Sequence, residues 1–149
     1  GVRENIIPEE LTMAGTIRTL DSAMQKDVHA KIRSTAKSIA ESMGATVEVK
    51  IDTKAPVTFN NHALVEKMLP SLYKAAGKEN VSEKPWVTGA EDFASFGEKV
   101  PAFYFFVGGM PKGKNVKDAA PHHTPDFFID DSRLDVGVKA FANIVFDYP

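Results

Sequence analysis

The apolar positions of this chain recur with two periods, and the period switches along its length. Between Leu11 and Leu20, Leu11, Met13, Gly15 and Ile17 alternate with Thr12, Ala14, Thr16 and Arg18. A period of two predicts a half-buried strand with Arg18 on its polar face. Asp21 and Ser22 offer side-chain acceptors for the free N–H groups of a helix start. Met24, Val28, Ile32, Ala36, Ile39 and Met43 follow at spacings of three and four, the stripe of a long amphipathic helix that Gly44 ends. Val47, Val49 and Ile51 then alternate with Glu48, Lys50 and Asp52 as a second strand. A β-α-β unit is expected, and Ala55-Pro56 marks a crossing between domains.

The second half opens with a helix from about Asn61 to Ala76, burying Leu64, Val65, Met68, Leu69 and Leu72. Pro70 should kink or divide it, and Gly77 should end it. Pro85 to Thr88 reads as extended, Glu91 to Phe96 as a helical turn. The run Phe103 to Val107 reads as a strand buried on both faces. Met110 to Ala120 is an exposed loop, and Pro121-His122-His123-Thr124-Pro125 is a turn. A last helix, from about Ser132 to Asp147, is expected to bury Leu134, Val138, Phe141, Ile144 and Val145.

Composition narrows the function classes. A formal net charge of -2 over 149 residues gives no basic field for nucleic acid and no acidic tail. The apolar runs are far shorter than the ~20 residues that span a bilayer, so no membrane partner is expected. With no cysteine, neither disulfides nor thiolate metal sites exist in this segment, and the redox compartment is undetermined. The cytoplasm is the default expectation. Gly1-Val2-Arg3-Glu4-Asn5 has no apolar core of a signal peptide and no initiating Met, and reads as the middle of a protein.

Two imidazoles, His122 and His123, lie in a loop after a buried-strand pattern, where α/β proteins place ligands. Neutral imidazole is a common metal ligand, but adjacent histidines point in different directions, so one at most serves a given metal. Taken alone, they read first as surface turn residues, because a metal needs three or more converging ligands. Arg18 suits bidentate capture of a carboxylate, although most strand arginines are simply solvated. Glu91-Asp92 could act as an acid/base pair, but acidic residues are favoured in a first helical turn in any case.

Five motifs taken in order change this picture: Asn5-Ile6-Ile7-Pro8, Gly15-Thr16-Ile17-Arg18, Met68-Leu69-Pro70, Gly89-Ala90-Glu91-Asp92-Phe93 and Pro121-His122-His123-Thr124-Pro125. The series resembles the C-terminal part of the dinuclear metal-dependent amidohydrolases, which include hippurate hydrolase, N-acyl-amino-acid amidohydrolases and auxin-conjugate hydrolases. Aminoacylase-like and carboxypeptidase-G-like peptidases are broader relatives. The resemblance implies an α/β fold. Residues 1–56 would be the second half of a β-α-β-β-α-β lid or dimerisation domain, and 57–149 the C-terminal part of the α/β catalytic domain. It implies that a strand from elsewhere separates the two strands of residues 1–56. It also implies that His123 is a ligand of one of two divalent metal ions, with zinc expected and manganese or cobalt as alternatives.

By the same resemblance, Asn5 and Arg18 grip a substrate carboxylate, and the Gly89-Ala90 backbone lies near the substrate. Glu91 and Asp92 form a structural cap. The implied substrate is a small N-acyl amino acid or amide, and a homodimer through the lid is the implied partner. The remaining metal ligands, the general-base glutamate and the lid histidine lie earlier in family members and have no counterpart here. The segment by itself is therefore expected to be inactive. The other reading is a catalytically incomplete fragment acting as a dimerisation or interaction module.

Overall fold

The computed structural model describes residues 3–149 and separates them into two compact units, Gly1–Val57 and Thr58–Pro149. Four α-helices appear: α1 (Ser22–Ser42), α2 (His62–Ala76), α3 (Ala94–Gly97) and α4 (Asp135–Asp147). Single 3-10 turns lie at Lys78–Asn80, Val116–Asp118 and Asp131–Arg133. No strand is present among the described residues.

In the first unit, α1 begins as the sequence dictates. The Asp21 carboxylate accepts the Met24 N–H at 2.6 Å, and Gly44 takes a left-handed φ of 70° just beyond the helix. The expected apolar stripe, however, buries nothing: Ile39 is 61% exposed and Met43 81%. Residues 11–20 and 47–51 form no ladder, so α1 has no sheet to rest on. A strand is stabilised through cross-strand pairs, and an alternating sequence without a partner has only its propensity. The helix is supported along its polar surface by Asp27–Lys31 and Glu41–Lys37 ion pairs one turn apart.

The second unit is organised by α2 packing on α4. Asn61 caps α2 by accepting the Leu64 N–H at 3.0 Å, and Gly77, with φ 85°, follows its last turn. Pro70 neither ends nor divides the helix. The carbonyl whose helical partner it removes belongs to Glu66, an exposed residue, where loss of that bond costs least. Met68 and Leu72 are buried as the spacing predicts; Leu64, Val65 and Leu69 are half-buried. Beside them Ser71 is also buried. Its hydroxyl donates to Asp147 Oδ2 at 2.7 Å, and Lys74 Nζ reaches both Asp147 oxygens at 2.9 and 2.8 Å. Asn143 donates to the Ser71 carbonyl at 3.2 Å. The Lys74 ammonium, followed by the Ser71 hydroxyl, holds the Asp147 carboxyl below the ordinary aspartate range.

The buried face of α4 differs from expectation. Ala140 is buried and Ile144 half-buried, but Leu134, Val138, Phe141 and Val145 are exposed, Val138 to 72%. The helix is apolar on more than one face, and periodicity alone does not say which face meets α2. The run Phe103–Val107 is likewise not buried on both faces: Ala102 is buried, 103–105 are half-buried, and Phe106 and Val107 are exposed.

Candidate functional site

The residues singled out by the sequence fall in both units, Asn5 and Arg18 in the first, Gly89 and His123 in the second. Asn5 is exposed in a turn closed by the Ile6 N–H donating to the Arg3 carbonyl at 3.4 Å. Arg18 is exposed three residues before the α1 cap.

In the second unit, the segment carrying the histidines is pinched at its base. The Asp130 N–H donates to the Gly109 carbonyl at 2.8 Å, so residues 110–129 leave and return at one point. Gly109 must lack a side chain for this: a Cβ there would sit 2.8 Å from Ile129 Cγ2. Within the loop, Thr124 Oγ1 donates to the Pro121 carbonyl at 2.7 Å, and the Phe127 N–H donates to the Thr124 carbonyl at 3.1 Å.

Between these bonds His123 holds φ at 65°, the one non-glycine with positive φ among the described residues. That conformation crowds a Cβ against the following carbonyl, and such strain persists where the surroundings over-determine it. It also separates the two rings. The imidazoles of His122 and His123 stand 6.4 Å apart at 78°, and His122 packs edge-on against Phe127 at 4.7 Å. His122 thus packs on its own loop, and both histidines are exposed.

A second arrangement involves the Gly89–Phe93 turn. Glu91 Oε1 accepts the Phe93 N–H at 3.3 Å, and Oε2 accepts the Tyr104 hydroxyl at 3.0 Å. The Glu91 carboxyl is held below its ordinary range, chiefly by a hydrogen bond with the Asp92 side chain, then by Phe93 and Tyr104. The same bond raises the Tyr104 pKa, because ionising the phenol would remove the shared proton and set two anions together. Tyr104 is gripped through its backbone as well: Asn60 Nδ2 donates to its carbonyl at 2.8 Å and Asn60 Oδ1 accepts its N–H at 2.7 Å. One residue on, the Asn61 N–H donates to the Ala102 carbonyl at 2.9 Å.

The Asn60 amide therefore does for Tyr104 what a neighbouring strand would do. Sequence reasoning missed this role of Asn60 and Tyr104. The available signal was two consecutive asparagines at a helix start that has room for one N-cap.

Among the described residues, no three His, Asp or Glu side chains come together as a metal ion would require. The donor set does not fit a dinuclear centre held by this chain alone.

The family model described as peptidase family M20/M25/M40 matches residues 4–147. The chain belongs to this family. Within the M20/M25/M40 family it is similar to a protein named thermostable carboxypeptidase 2 of Saccharolobus solfataricus, 35% identical over 95% of this chain and 35% of that protein. An N-acetyldiaminopimelate deacetylase of Lactococcus lactis subsp. cremoris is 27% identical over 97% of this chain and 36% of its own length. The IAA-amino acid hydrolase ILR1-like 2 of Arabidopsis thaliana is 25% identical over 97% of this chain and 33% of its own length. The chain thus spans about a third of the curated relatives it matches. No solved structure matches it. The resemblance carried by the five motifs is therefore membership, and the matched range takes in Asn5, Arg18, Gly89 and His123.

Proposed function

We propose that this chain is part of a metal-dependent amidohydrolase that cleaves the amide bond of N-acyl amino acids or related small amides. Its contribution is one metal ligand, His123, and a clamp on the substrate carboxylate formed by Arg18 and Asn5, with the Gly89 backbone beside the substrate. Residues 1–56 are on this reading the second half of a lid, and 57–149 the end of an α/β catalytic domain. The observation that carries it is the family match over residues 4–147. The names of the relatives add the chemistry: a carboxypeptidase, an N-acetyl deacetylase and an amino acid conjugate hydrolase all act on an amide whose amine side is an amino acid.

The clamp follows from the side chains. A guanidinium is planar, always charged, and presents two parallel N–H groups that match the two oxygens of a carboxylate. Held that way, the substrate meets the rest of the site in one orientation, and attack on its amide becomes effectively intramolecular. In the full-length protein, Arg18→Ala is expected to raise KM for N-acyl amino acids about 10- to 100-fold, the worth of a lost hydrogen bond to a charged group. The effect on kcat should be smaller, because the carboxylate is bound equally in ground and transition states. An unchanged KM for carboxylate substrates would remove the clamp role.

The uncovered stripe of α1 supports a second contribution of residues 1–56, pairing with another copy of the chain. Met24, Ile39 and Met43 are all more than half exposed, and exposed apolar residues on one helix face are what an association face is built from. Sedimentation of the full-length protein at micromolar concentration is expected to show a dimer. A monomer throughout that range would eliminate this reading and leave the hydrolase untouched.

A further inference from the structure

The Glu91-Asp92 pair has no part in the chemistry proposed above, yet Glu91 ends a chain of hydrogen bonds that starts at α2. That chain runs from Asn60 through both peptide groups of Tyr104 to the Tyr104 hydroxyl and on to Glu91. The expected structural cap is not formed: the N-cap of the four-residue α3 is Phe93, no side chain caps the helix, and the Glu91 bond to the Phe93 N–H stays within the turn before it. The bond to Tyr104 crosses 13 residues and is charge-assisted, so it ties the turn to the α2 end of the unit. Aromatic packing follows the same line: Phe93 lies 5.5 Å from the Tyr104 ring and 5.9 Å from Phe96. Upstream of Glu91, Lys84 Nζ lies over the Phe106 ring at 5.3 Å. Residues 82–90 are exposed, and a Cβ on Gly89 would meet no atom within 4 Å. The Glu91 anchor lies two residues after Gly89.

We infer that Glu91, Tyr104 and Asn60 are positioning residues: they fix the 89–93 turn so that the Gly89 backbone is held at one place against the substrate. The inference rests on the hydrolase reading for what Gly89 touches, and on the hydrogen bonds alone for what holds it. Glu91 acts through its two acceptor oxygens and takes no proton from the substrate. Asn60 acts because its amide satisfies an N–H and a C=O that would otherwise require a strand.

The test uses the full-length, metal-loaded protein and N-acetyl amino acids as probe. Glu91→Ala and Tyr104→Phe are each expected to raise KM about tenfold with kcat within about threefold, since a small displacement of a positioned group is felt in binding. The double variant should be no worse than either single, because both remove one bond. Glu91→Gln keeps a carbonyl acceptor for the phenol and should stay within about threefold of the parent KM. Additive singles, or a loss of thermal stability and kcat at constant KM, would overturn the inference in favour of a purely structural tie. Amide hydrogen exchange in Tyr104→Phe is the second readout: faster exchange at 89–94 with unchanged exchange in α2 and α4 is expected, and unchanged exchange at the turn overturns it. A parent protein inactive on every N-acyl amino acid sinks the hydrolase reading instead, and the exchange result then decides the anchor by itself.

Discussion

Met68→Ala is expected to destabilise the protein by about 2–5 kcal/mol, the range for truncating a fully buried Met, with a correspondingly lower urea midpoint. Met68 is 1% exposed on the face of α2 that meets α4, between the buried Ser71 and Leu72 and the α2 N-terminus. The truncation removes apolar area and leaves a cavity that two helices cannot close without moving their shared hydrogen bonds. Ser71 and Lys74 fix Asp147 of α4 from α2, and Asn143 of α4 returns a bond to the Ser71 carbonyl. These ties limit the collapse that would otherwise soften the loss. Val138→Ala on the outer face of α4 is the control. Val138 is 72% exposed and should cost no more than about 0.5 kcal/mol. Equal losses at the two positions in the full-length protein would show that α4 is covered there on its outer face, and that α2 is not its principal support.

That contrast bears on what the sequence could reveal. Local signals were legible: Asp21 as a helix cap, Gly44 and Gly77 beyond helix ends, Met68 and Leu72 as core. Each depends on neighbours within four residues, which any helix carries with it. What was not legible depends on partners distant in the chain. The alternation of residues 11–20 and 47–51 states which face each strand would bury, but nothing within residues 3–149 supplies the ladder. The stripe on α4 states that an apolar face exists, and the burial of Ala140 instead of Val138 shows which face this chain has a partner for. The site divides the same way. Asn5, Arg18, Gly89 and His123 were singled out because motif order carries them. Asn60 and Tyr104 were missed because their bond spans 44 residues, and only folding brings them together.

His123→Ala in the full-length protein is expected to lower kcat/KM for N-acyl amino acids about 1000-fold. That exceeds the ~10–100-fold typical of losing a partner one layer behind a metal ligand, and metal analysis should show a reduced content. His122→Ala should stay within about fivefold on both measures, because Phe127 already occupies the His122 ring and the two imidazoles diverge by 78°. The backbone separates ligation from architecture. At φ 65° an alanine keeps the left-handed strain while a glycine relieves it. His123→Gly should therefore be as inactive as His123→Ala yet more stable than it, by about 0.5–1 kcal/mol in urea unfolding. A gain from alanine to glycine at equal inactivity would show that any side chain at position 123 bears the backbone strain. If His122→Ala proves the more damaging, or His123→Ala keeps activity within tenfold, the imidazole at 123 is not the ligand and the strained turn serves the loop alone.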